Sequence, residues 1–81
     1  MEKFSLNMAK AFLGKNVNLH LKDGSVIVNV QVSELQKDDF KRETFVKCIA
    51  YGKKDELVIP LRSIAWAEQL NLSLFLATNN D

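Results

Sequence analysis

Between Val17 and Val32, apolar residues fall on every second position on both sides of an Asp23-Gly24 dipeptide. Val17, Leu19 and Leu21 precede it, and Val26, Val28, Val30 and Val32 follow. Strict alternation puts one face of each run in a core, and Asp-Gly between two such runs is a hairpin signal. A second block of strand character follows at Glu56 to Trp66. The chain therefore reads as a small β-rich domain. Its function is expected to come from surfaces and assembly, because no catalytic cluster is visible.

The length of 81 residues accommodates one domain, with a core of barely sufficient size. Hydrophobic residues make up 47% of it. That is generous for so small a fold and points either to apolar surface buried between subunits or to a tightly packed monomer. Eleven basic and ten acidic residues leave a net charge of +1, so no strongly basic field advertises nucleic acid. Any RNA contact has to use a local patch, multiplied by symmetry. One cysteine excludes an intramolecular disulfide and fits a reducing compartment. The amino end has no long apolar core of a secretory signal, and no run approaches the ~18 apolar residues of a membrane span. A cytoplasmic protein without membrane contact is the expectation.

The pattern predicts a helix over 5–13, with Ser5 as cap and Gly14 as terminator. Phe4, Met8, Ala11 and Phe12 share one of its faces, which reads as a lid over one end of a barrel. Strands follow at about Asn16–Lys22, Ser25–Leu35, Thr44–Tyr51, Glu56–Leu61 and Ile64–Glu68. The second is long enough to require a bend if it serves both halves of a sheet. Both faces of the third carry apolar residues, so it is expected to be the most deeply buried. Pro60 confines the fourth strand to an edge or a bulge, since proline cannot donate to the ladder. After it comes a tight turn at Arg62-Ser63. The tail is apolar from Leu72 to about Ala77 and is expected to be ordered that far. The fold class is mainly β: an amino-terminal helix, then a strongly bent five-stranded antiparallel sheet or small barrel.

In its order of elements this chain resembles the Sm, LSm and Hfq family across about residues 5 to 68. The run Gly14-Lys15-Asn16-Val17-Asn18-Leu19-His20-Leu21-Lys22-Asp23-Gly24 is similar to the opening of that family's first motif, and Leu57-Val58-Ile59-Pro60-Leu61-Arg62-Ser63-Ile64 to its second. Ser63 stands where many members have glycine, and Asn29 about where a glycine lets the second strand bend. The Asp-x-x-x-Asn pattern with which members hold a base is missing. The resemblance implies a homo-oligomeric ring of about five to seven copies, joined through the fourth and fifth strands, that holds single-stranded RNA. Arg62 would then line the pore, where a guanidinium pairs with phosphate or stacks on bases; the alternative is an ordinary turn arginine in a surface ion pair.

Ser63 adds a hydroxyl beside Arg62. The connection Gln36 to Glu43 contributes Lys37, Lys41 and Arg42 around Phe40, a candidate stacking platform whose charge Asp38, Asp39 and Glu43 locally cancel. Leu57, Val58, Ile59, Leu61, Ile64 and Trp66 are the candidate subunit interface, because apolar edge strands with few charges invite pairing unless a partner covers them. Trp66 and Tyr51 read as core or interface anchors. His20, the only histidine, sits on the polar face of its strand, and Cys48 is in phase with buried positions. The two fall on different faces, so neither a metal site nor a nucleophile pair is expected. No catalytic residue, metal or cofactor is assigned. The alternative function is a ring or SH3-like module that binds protein and not nucleic acid.

Overall fold

The computed structural model describes residues 3–71, which form one short helix and five strands in a single antiparallel sheet. Helix α1 (Leu6–Ala11) starts where the Ser5 hydroxyl accepts the Met8 N–H at 3.2 Å, and it stops at Phe12. It is shorter than the 5–13 expected because the backbone is captured by the sheet: Gly14, at φ +77°, donates its N–H to the Val32 carbonyl at 2.8 Å. Phe4 and Phe12 flank the helix with ring centroids 6.3 Å apart, and Ala9 faces the core.

The strands are β1 (Asn16–Leu21), β2 (Val26–Asp38), β3 (Glu43–Ala50), β4 (Glu56–Pro60) and β5 (Ile64–Gln69). Their order across the sheet is β4-β3-β2-β1-β5. A closed barrel is therefore not what forms. β4 pairs only with β3 and β5 only with β1, so the sheet stays open with those two strands at its edges. Pro60 ends the edge strand β4, where a missing N–H costs no interior ladder bond. The apolar tail beginning at Leu72 lies outside the described residues.

The hairpin expected at Asp23-Gly24 is present. The Asp23 carboxylate accepts the Ser25 N–H at 2.9 Å and the Ser25 hydroxyl at 2.5 Å, and Gly24 occupies φ +93°. Those two hydrogen bonds, the hydroxyl's first, lower the Asp23 pKa. Along β2 the expected alternation fails, for a definite reason. Val17 pairs with Val30 but Leu19 pairs with Ile27, so two residues of β2, Val28 and Asn29, stand opposite Asn18 alone. This is a β-bulge, and an inserted residue inverts the in–out phase of everything beyond it. Ile27 packs against the core with Val30 and Val32, whereas Val26 and Val28 point outward. A second bulge at Ser33 restores the shift: Val32 pairs with Cys48, Glu34 with Lys47, and Leu35 returns to the core side. The Ser33 hydroxyl donates to the Lys47 carbonyl at 3.1 Å within that bulge.

Asn29 makes the first bulge possible. Its φ of +52° is a left-handed conformation that asparagine tolerates better than most side chains. Its N–H donates to the Asn18 side-chain oxygen at 2.8 Å, and its own side-chain oxygen accepts from Asn16 at 3.5 Å. Asn29 thus adopts a backbone conformation more usual for glycine.

The core lies between α1 and the inner face of the sheet. Val17, Leu19, Val30, Val32, Val46, Cys48, Ile59 and Ile64 fill it, with Phe4 and Ala9 from the helix side. No residue of β3 is fully exposed, in keeping with apolar residues on both its faces. Burial pushes the Cys48 thiol pKa up to about 11.

Two outcomes follow from this packing. Asn29→Val should lower unfolding free energy by about 2 kcal/mol in urea titration, since a β-branched residue is strained at positive φ, while Asn29→Gly should cost less than about 1 kcal/mol. The Cys48 thiol should resist a thiol reagent at pH 8 until the chain is unfolded. Because its folded pKa lies above the unfolded value of 9.0, its contribution to stability is complete below pH 9 and declines as pH rises toward 11. The difference in denaturation midpoint between the wild type and Cys48→Ala should shrink over that interval.

Candidate nucleic-acid interface

The turn that carries Arg62 is fixed from both sides. Leu61–Ser63 form a single 3-10 turn between β4 and β5, closed by the Ser63 hydroxyl donating to the Pro60 carbonyl at 2.7 Å. The Ser63 carbonyl in turn accepts the Lys22 N–H at 2.9 Å, which pins the turn to the β1–β2 hairpin. Ile64, two residues on, is buried, whereas Arg62 is displayed outward with a side chain 77% exposed.

The β2–β3 connection reaches the same region. Asp38 at the end of β2 accepts the N–H groups of Phe40 and Lys41 at 3.0 and 3.2 Å, which folds the loop back on itself. Arg42 leaves it at φ +52°, and Glu43 opens β3. An open cleft of about 280 Å³ results, lined by Lys3, Phe4, Lys41, Arg42, Glu43, Thr44, Leu61 and Arg62. Four cations and one carboxylate surround a floor of Phe4 and Leu61. Arg62 Nε lies 2.9 Å from Glu43 Oε1, a close charge contact. Its N–H is not aimed along that line, and the buried Oε1 has no hydrogen-bond partner among the described residues. The contact is thus one of charge to charge, without a hydrogen bond at that oxygen.

Of the six residues expected to touch RNA, the cleft brings together Arg62, Lys41 and Arg42. The other three are placed differently. Ser63 commits its hydroxyl to Pro60, Lys37 stands in solvent 3.9 Å from Asp39, and Phe40 is 98% exposed but does not line the cleft. Lys3, Glu43 and Thr44 join the cleft without being expected there. Glu43 and Thr44 adjoin Arg42 in sequence, so that proximity is readable. Lys3 arrives from the other end of the chain, and no local pattern announces it.

The expected interface residues also divide. Leu57 and Val58 on β4 and Trp66 on β5 are exposed at the sheet edges. Ile59 and Ile64 are not surface at all: both belong to the chain's own core. Leu61 is partly buried and belongs to the cleft. On the outer face of β5, Trp66 stacks on His20 with centroids 3.8 Å apart and planes 8° from parallel. Glu68 Oε1 is 3.4 Å from His20 Nε2 and accepts from the Asn18 amide at 3.3 Å. His20 and Cys48 are on opposite sides of the sheet, one on its outer face and one in the core.

No family model, curated protein or solved structure matches this chain. No helix among the described residues is long and apolar enough to cross a membrane. The reading of the cleft therefore rests on its own chemistry.

Arg62 is largely exposed but its partner Glu43 is mostly buried, so water screens the pair only in part. Arg62→Ala removes the cation from beside that carboxylate and should lower unfolding free energy by about 1 to 3 kcal/mol in chemical denaturation.

Proposed function

We propose that this protein is an Sm-like, single-stranded RNA-binding module that works as a closed homo-oligomer. The observation that carries the reading is the convergence of Lys3, Lys41, Arg42 and Arg62 on one cleft in a chain of net charge +1. Local potential and not total charge governs the approach of a polyanion, and a cleft with low-dielectric walls focuses it. Arg62, largely exposed, presents a planar guanidinium that can stack on a base as well as pair with phosphate. Phe40, adjacent to the cleft-lining Lys41, offers a free ring for a neighbouring base.

The sheet order supplies the route to assembly. The open edges β4 and β5 are the two ends of one sheet, so joining β4 of one copy to β5 of the next continues the sheet through a head-to-tail contact. Such contacts close into rings when the rotation per copy allows. Leu57 and Val58 on one edge and Trp66 on the other are the apolar side chains that the contact would cover. A ring repeats each weak cleft around an axis, and simultaneous contacts raise avidity with no new chemistry.

Fluorescence anisotropy with a short uridine-rich strand tests this reading. Binding should weaken steeply with added salt. The double variant Lys41→Ala/Arg42→Ala should bind at least about tenfold more weakly, with a salt slope shallower by up to about two, one for each phosphate no longer neutralised. Salt-insensitive binding, or a double variant that binds like the wild type, would remove the cleft from the account. Absence of binding at low salt would favour a protein partner.

A further inference from the structure

A cleft built only to neutralise phosphates has no use for a carboxylate, yet this one places Glu43 in its wall. The Glu43 side chain is mostly buried, its Oε1 has no hydrogen-bond partner among the described residues, and the Arg62 guanidinium lies 2.9 Å from it. The Arg62 charge offsets part of the cost of burying that oxygen, and a ligand able to donate hydrogen bonds to the carboxylate could take the place of the misaligned contact. A bare anion cannot: it would compete with Glu43 for Arg62 and be repelled by it. The ligand that suits both charges carries a negative group for the lysines and arginines and N–H donors for the carboxylate.

Among nucleotides one base fits best. Guanine presents two adjacent donors, N1–H and the N2 amino group, on its Watson–Crick edge, which match the two oxygens of a carboxylate. Cytosine and adenine present one amino donor beside an acceptor. Uracil presents one N–H between two carbonyl oxygens, both of which would face the carboxylate and be repelled. We propose that the cleft reads guanosine: Glu43 takes the Watson–Crick edge, Arg62 turns from Glu43 to stack its guanidinium on the base plane, and Lys41, Arg42 and Lys3 hold the phosphate. Stacking of bases on arginine planes and edge recognition of unpaired bases are the usual means of reading single strands. Phe4 and Leu61 offer the base an apolar floor, and a volume of about 280 Å³ suits one nucleotide. Glu43 is thereby the specificity residue of the cleft, and its charge contact with Arg62 is the resting state of the site. The inference rests on the nucleic-acid reading above and assigns it a base.

The test compares a short uridine-only strand with the same strand carrying one guanosine, or one inosine, which lacks the N2 donor. The wild type should bind the guanosine strand at least about fivefold more tightly than the uridine strand, with inosine between them. In Glu43→Gln the ratio should fall to about one, even as overall affinity rises because a negative charge is gone. Inosine probes the wild-type protein directly, so the result stands even if the variant folds poorly. Guanosine monophosphate as competitor separates the sources: full competition indicates the free nucleotide, and weak competition indicates guanosine within a strand. Equal binding of all three strands would overturn the guanine assignment and leave RNA binding standing. No binding of any strand, with the monophosphate also inert, would overturn both.

Discussion

The left-handed backbone at Asn29 is the constraint on which the architecture turns. β2 runs for 13 residues through the middle of the sheet, pairing with β1 at one end and β3 at the other. A regular strand of that length would present one side chain set to one face throughout. The bulges at Val28–Asn29 and at Ser33 break it into three segments, the middle one opposite in phase to the two outer ones, so that Ile27, Val30, Val32 and Leu35 all reach the core side. A bulge also bends the strand and increases its twist. The bend lets one sheet wrap a core small enough for 81 residues, with α1 closing the opening. Asn16 and Asn18 hold the Asn29 side chain and backbone in place, so three asparagines on two adjacent strands set the curvature.

From that curvature follows the placement of everything at the rim. The β2–β3 connection comes back over the end of the sheet and meets the turn after β4, which the Ser63 to Pro60 and Lys22 to Ser63 hydrogen bonds hold in position. Lys41, Arg42, Glu43 and Arg62 are thus brought to one cleft by two short, internally hydrogen-bonded connections. Presentation on fixed turns lowers the ordering cost that any ligand of the cleft would have to meet.

Much of the fold is legible in the sequence because period-two patterning is a direct physical signal. The helix, five strands, the Asp-Gly hairpin and the edge position of the proline-bearing strand all appear in the structure. What patterning misses is phase. Val26 and Val28 read as buried when alternation is carried unbroken through Asn29, and only a residue with positive φ there shows that it breaks. Ile59 and Ile64 read as interface for a related reason: an apolar edge strand shows that something covers it but not whether that is a second copy or the chain's own core. In the cleft, Arg62, Lys41 and Arg42 are visible as basic residues in turns. Lys3 is not, since it reaches the site only through the packing of the amino-terminal segment against the sheet.

The proposed binding mode requires the open ends of the sheet to be joined between copies, which would turn a cleft of a few contacts into a repeated surface. Light scattering behind a sizing column, at two protein concentrations, tests this directly. A single species of about five to seven subunits, with the same mass at both concentrations, is the predicted result. A monomer at both concentrations would contradict it and mean that β4 and β5 are covered in some other way.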